Sequence, residues 1–253
     1  MSDSEERGIP CERAGLTGSV FLEATNALSS AAREEAIFGA IAAGSVPSFG
    51  HVFVDVRLED GAHDGAVRVA VDYAAVGADE DFVRVPMSPV TAQRLADHFG
   101  YVLPTRKLVD AIYRAAELKL VPAPLPPGSR MMSNDYYRRH HEVIEKQRAN
   151  RAVGKLIAGH KKDVVITKRL LQRPKQVAIY GWHRVDGRAI QPLSLVHEAS
   201  YVDYSHGVRW VHGTMAVDGA ERLVADVLRD PELAPLLSDE GPLSSARAAW
   251  PFR

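Results

Sequence analysis

Four histidines, His160, His183, His197 and His206, lie between Gly159 and Arg209. Asp163, Asp203, Lys161, Lys162 and Ser205 share the same stretch. An imidazole exchanges protons near neutral pH, and a carboxylate beside it fixes which nitrogen carries the proton. A lysine or arginine can stabilise a developing oxyanion or hold a substrate carboxylate. The set points first to histidine acid/base chemistry. His183, His206 and His160 are the candidate proton carriers, with Asp203 or Asp163 as the orienting carboxylate. Ser205 is a hydroxyl directly beside a candidate base, His206. Neighbours in sequence rarely have nucleophile–base geometry, so His183 or His160 is its expected partner. Lys161, Lys162 and Arg209 are expected to hold an anionic group, and Trp182, Tyr201 and Tyr204 to offer stacking surfaces. The expected activity is that of a hydrolase or acyl-transfer enzyme on a peptide-like or glycan-derived substrate.

Two other readings use the same residues. His183, His197, Asp203 and His206 could bind one zinc ion, leaving a position open for water, as in a zinc-dependent hydrolase. Alternatively the cluster is a non-catalytic pocket for an anionic small molecule or polysaccharide. His160, His183 and His206 each have a glycine within two residues, which lets a backbone or ligand approach closely. His197 has none. His51, His63, His98 and His212 read as structural, and His140 and His141 as solvent-facing members of a charged helix. Loops of the GxxxxGK[ST], GxGxxG and GxSxG types are absent, so nucleotide-binding loops and the nucleophile elbow lose support. His197-Glu198 and His141-Glu142 begin like HExxH and lack its second histidine.

The balance of charge narrows the partners. The 253 residues carry 31 Lys+Arg against 32 Asp+Glu, a formal net of -1, which argues against a non-specific nucleic-acid binder. The expected partner is a small-molecule, peptide or glycan substrate; oligomeric state stays open. The single cysteine, Cys11, can form no internal disulfide. No apolar run reaches the length of a membrane span, and the start, MSDSEERGIP, lacks the pattern of a signal peptide. The chain is therefore expected to be soluble and cytoplasmic.

The elements that must position these residues read as an α+β fold, a helical and hairpin N-terminal half packed on a β-rich C-terminal half. Residues 1–24 read as a polar tail and 25–253 as one domain. Ala31 to Ala43 reads as a helix. His51 to Leu58 and Val67 to Tyr73 alternate as strands across a Gly/Asp-rich turn, which predicts a hairpin. Ser88 caps a helix that starts at Pro89 and closes at Gly100, and Thr105 caps another running to about Leu118. A proline-rich connector follows near 121–129. A third helix is predicted from Asn134 or Asp135 to about Arg151. Beyond it, Asp163 to Thr167, Gln176 to Tyr180 and Val208 to Val217 read as strands, and Ala220 to Leu228 as a helix. The reactive clusters fall at strand ends, where a scaffold can present side chains accurately.

The segments GHKKDVV, IYGWH and DYSHGVR resemble a bacterial protein family whose likeness implies no activity. It extends over DYAAVGADEDFVRVPMSPVTAQRLAD and LPTRKLVDAIYRAA, which implies one domain despite the connector. Ile179 to His183 and Ser205-His206-Gly207-Val208-Arg209 also resemble signature elements of the L,D-transpeptidases. Their nucleophilic cysteine is missing here, and the spacing to Arg209 is one residue shorter. This resemblance therefore implies no cysteine-based transpeptidation and assigns no catalytic role.

Overall fold

The computed structural model describes residues 15–149 and 154–247. Cys11 and most of the expected N-terminal tail lie outside them. Helix α1, Gly18–Thr25, already falls within the stretch read as tail. Thr17 caps it, and Phe21 and Leu22 are buried in the core, which explains why it folds. Helix α2 spans Ser30–Ala42 and buries Ile37 and Ile41, four residues apart on one face. Strands β1, Phe53–Glu59, and β2, Asp64–Ala70, form the expected antiparallel hairpin, with Val56 opposite Val67. A second, shorter hairpin joins β3, Ala75–Ala78, to β4, Asp81–Arg84.

Helix α3, Pro89–Phe99, starts on the Ser88 cap and ends at Gly100, whose φ of 74° is left-handed. Strand β5, Tyr101–Val102, leads to helix α4, Arg106–Ala115, capped by Thr105. Leu108 and Ile112 face inward from α4. Strand β6, Leu118–Lys119, precedes the proline-rich connector, and helix α5, Asn134–Arg148, follows it. Strand β7, Ile157–Ala158, then pairs in parallel with β6, so the chain on the two sides of the connector is hydrogen-bonded together.

Six more strands follow among the described residues: β8, Lys162–Val164; β9, Ile179–His183; β10, Ala189–Ser194; β11, His206–Gly207; β12, Val211–Val217; and β13, Ala220–Leu223, hairpinned onto β12. The last strand corrects the helix expected from Ala220. Asp218 and Gly219, at φ 50° and 81°, turn the chain back on itself, an Asp-Gly hairpin signal that the apolar pattern concealed. Helix starts only at α6, Val224–Arg229, and α7, Ala234–Leu237, follows.

One sheet runs β1-β2-β12-β13, with β5 also on β12. The other runs β10-β9-β8-β11. This α+β architecture, helices leading and strands dominating the second half, is the expected one. A continuous core joins the layers, with Val67, Val69, Leu95, Val164, Val177 and Val208 almost fully buried. Each such side chain contributes about 1.5–3 kcal/mol by leaving water. No helix among the described residues is long and apolar enough to cross a membrane.

Candidate active site

Strand β9 carries an irregularity that matters chemically. In a regular strand, residues three apart point to opposite faces. Tyr180 and His183 nevertheless both reach the same carboxylate oxygen, Asp110 Oδ1, at 2.8 Å each. Between them Trp182 has φ 57°, a left-handed conformation that is unusual for a bulky residue. Its indole Nε1 donates to the carbonyl of His160, and Lys162 Nζ lies 4.9 Å over its ring. These contacts hold the kink that turns His183 towards helix α4.

The His183 ring stacks on Tyr113, with centroids 4.5 Å apart and planes 16° from parallel. Asp110 and Tyr113 both come from α4, so one helix supplies the carboxylate and the platform. An ionised carboxylate only accepts hydrogen bonds, so the pairing assigns the proton to His183 Nε2 and leaves Nδ1 as the basic nitrogen. His183, Asp110, Tyr113 and Tyr180 line a cleft of about 710 Å³. Arg106, Arg114, Lys119 and Arg188 also line it, against the single further acid Asp186. Arg106 is paired with Asp239. The wall is rich in cations around an oriented imidazole.

The other predicted residues gather elsewhere. Strands β8 and β11 pair in parallel, His206 opposite Lys162 and Gly207 opposite Asp163. That pairing brings residues 160–163 beside residues 203–207. A Cβ on Gly207 would lie 2.7 Å from the Tyr73 ring and 2.9 Å from Lys161 Cβ, so only glycine permits the approach. Lys161 is buried, and its Nζ donates to the Tyr204 carbonyl at 2.7 Å. Burial pushes its ammonium down to about 7, with Arg84 adding repulsion. His160 Nε2 stands 3.2 Å from Asp72 Oδ1, and Arg84 grips the same carboxylate with two nitrogens. Burial holds His160 down to about 4 despite that carboxylate. Burial alone would raise Asp72, but Arg84 and His160 keep it well below the usual carboxylate range. His206 is buried 3.9 Å from Asp203, and burial pushes it down to about 4.

Several expectations change with these positions. Ser205 donates to Asp203 Oδ1 at 2.5 Å, so its hydroxyl is tied to a carboxylate and pairs with neither His183 nor His160. Arg209 is fully buried, donates to the carbonyls of Ala70 and Ile157, and lies 4.3 Å over the Tyr73 ring. It clips backbone segments together where a substrate-holding role was expected. Tyr204 is buried, with its hydroxyl on the backbone of Leu125. His140, expected to face solvent, is fully buried beside Trp182 and Tyr204, and His141 contacts Arg84. Tyr201 stacks on His197 at 4.1 Å, near the surface. The four-residue zinc set does not converge: His183 is turned to Asp110 and His197 to Tyr201. Among the described residues, no three His, Cys, Asp or Glu side chains are grouped to hold a metal ion.

Asp110 was missed by sequence reasoning. It sits on α4 between inward-facing Val109 and Ala111, and its link to His183 spans 73 residues. Only the i, i+3 relation to Tyr113 on the same helix face hinted at a pair. No family model, curated protein or solved structure matches the chain. Val208, which follows Ser205-His206-Gly207, is fully buried.

Proposed function

We propose that this chain is a hydrolase for a small anionic ester or amide, with His183 as the proton carrier and water as the nucleophile. The observation that carries the reading is the His183–Asp110 hydrogen bond in the wall of a cation-rich cleft. With Nε2–H donated to Asp110, Nδ1 takes a proton from water as the oxygen attacks the substrate carbonyl. The Asp110 carboxylate stabilises the imidazolium that forms. The imidazolium then returns its proton to the leaving oxygen or nitrogen. Arg114, Lys119 and Arg188 hold the substrate's carboxylate or phosphate and favour the oxyanion. The hydroxyls of Tyr113 and Tyr180 are occupied, by the Arg184 carbonyl and by Asp110, which leaves water as the nucleophile. Peptide-like and glycan-derived compounds stay within this class when they bear a negative charge.

The test is a turnover screen on the full chain, using anionic aryl esters, N-acyl amino acids and acylated sugar acids. Turnover by the wild type, with His183→Gln slower by about 10²–10⁴-fold and an unchanged far-UV spectrum, supports the reading. Equal turnover by the variant counts against it. Binding of these anions without turnover replaces it with a binding pocket.

A further inference from the structure

Asp163 is a buried carboxyl that the proposed mechanism leaves unused. It lies on β8, 3% exposed, and its Oδ2 accepts from the Tyr73 hydroxyl at 2.8 Å. On the neighbouring strand, Gly181 has φ 110°. A Cβ built there would sit 3.4 Å from Asp163 Oδ2 and 3.5 Å from His183 Cε1. The carboxyl and the imidazole edge therefore face each other across a residue that has no side chain. The glycine allows both the conformation and the approach.

We propose that Asp163 is a positioning residue of this cleft: its ionised carboxylate, facing His183 across Gly181, favours the imidazolium formed when His183 takes a proton. Carboxylates then flank the ring on two sides, Asp110 bonded to Nε2 and Asp163 acting through space. The charged and titratable groups around Asp163 are Tyr73, Arg209, His183 and Asp110. Around His183 they are Asp110, Tyr113, Tyr180 and Asp163, with Arg106, Arg114, Lys119, Asp186 and Arg188 on the wall of the same cleft. Burial pushes the Asp163 carboxyl up to about 6, against Arg209 and the Tyr73 hydrogen bond, which both lower it. Its charge therefore changes within the range where a histidine base works. The consequence for turnover rests on the reading of His183 as proton carrier; the field across Gly181 does not.

The experiment is a pH titration of the full chain labelled with ¹³C at histidine Cε1, the His183 resonance being assigned by its loss in His183→Gln. The wild type is expected to show an inflection near pH 6 from Asp163, superimposed on the ring's own titration. Asp163→Asn loses that inflection. Tyr73→Phe keeps the carboxyl but removes its donor, so the inflection moves to higher pH. This variant also serves if Asp163→Asn does not fold. Where turnover is found, Asp163→Asn lowers kcat roughly tenfold and removes the step near pH 6 from the kcat profile. An inflection that persists in Asp163→Asn, or stays in place in Tyr73→Phe, overturns the proposal. Full turnover by His183→Gln overturns the hydrolase reading instead and leaves the resonance result standing.

Discussion

The cleft at His183 and the buried cluster at His160 contain the same parts, a histidine on a carboxylate with arginine close by. Their hydration differs. The Asp110 side chain is 32% exposed, whereas that of Asp72 is 4% exposed. Both imidazoles are buried, at 3% and 1% exposed, so the difference lies in the partner: the carboxylate that holds His183 keeps contact with water. Asp72 is already neutralised by Arg84, and Arg84 is itself shared with Glu145. A histidine joined to that closed network stays neutral. On the proposed reading, the same three residue types serve proton transfer in one place and a structural lock in the other, and the solvation of the carboxylate separates them.

The lock is the place to look for the largest effect. Arg84→Met leaves Asp72 buried without its main counter-charge, which costs about 3–5 kcal/mol in systems of this kind. Urea denaturation of the variant is expected to show a loss of that size. The double variant Arg84→Met/Asp72→Leu should recover much of it, because no unpaired charge remains. A single variant as stable as wild type would remove the distinction between the two regions.

A second effect follows from pH. His160 and His206 are held down to about 4 by burial, below their ordinary value of 6.5. The unfolded chain therefore binds more protons than the folded one between pH 6.5 and 4. Their contribution to stability is complete above 6.5 and is lost as pH falls through that window, on the order of 3 kcal/mol for each. Asp163 runs the other way: raised to about 6 from 3.8, it adds stability as pH falls through 6 towards 3.8. His140 and His141 are held down by burial as well, so the histidines outweigh the raised Asp163 carboxyl and leave a net loss in acid. Denaturation of wild type and His206→Gln at pH 7 and pH 4.5 checks this. The variant should lose less stability between the two, and an equal loss would contradict the burial argument.

How far these two regions could be read in advance depended on the range of the signal. Caps and turns are local, so Ser88, Pro89 and Gly100 marked α3 without any knowledge of its surroundings. The first hairpin was legible for the same reason. Asp218–Gly219 is equally local, yet the apolar residues after it suggested a helix. The candidate site depends on pairing between distant segments. Residues 160–163 and 203–207 did come together, as their shared chemistry suggested, but inside the core. Two consecutive backbone angles, at Gly181 and Trp182, turned His183 towards α4, with only its ring edge left facing Asp163. Gly181 permits the first of these angles, but no residue type marks the second, at Trp182, and for that reason Asp110 stayed hidden.

A third variant sharpens the comparison from the cleft. Asp110→Asn keeps the shape of the side chain and removes its charge. The amide can also hold His183 in the wrong tautomer, by donating to Nε2. Turnover is expected to fall about 100-fold or more, while stability changes by less than about 1 kcal/mol because the carboxylate is partly solvated. Paired measurements of kcat and urea midpoint test both halves. A large loss of stability with little loss of rate would make Asp110 a structural carboxylate like Asp72.

The smallest expected effect belongs to Tyr180→Phe. Its hydroxyl donates to the same Asp110 oxygen that accepts from His183. Removing it leaves the imidazole contact intact and makes the carboxylate a stronger acceptor for Nε2–H. Water from the cleft can replace the lost donor, because Asp110 is not sealed from solvent. The cost is that of one hydrogen bond, about 1 kcal/mol, and the rate is expected to change about threefold or less. The same substitution in a closed network would leave a buried acceptor unsatisfied and cost more. If Tyr180→Phe matches Asp110→Asn in rate, the hydroxyl fixes the carboxylate's position. The catalytic unit would then be a Tyr180–Asp110–His183 triad, and the open solvation of the cleft would matter less than the rigidity of β9.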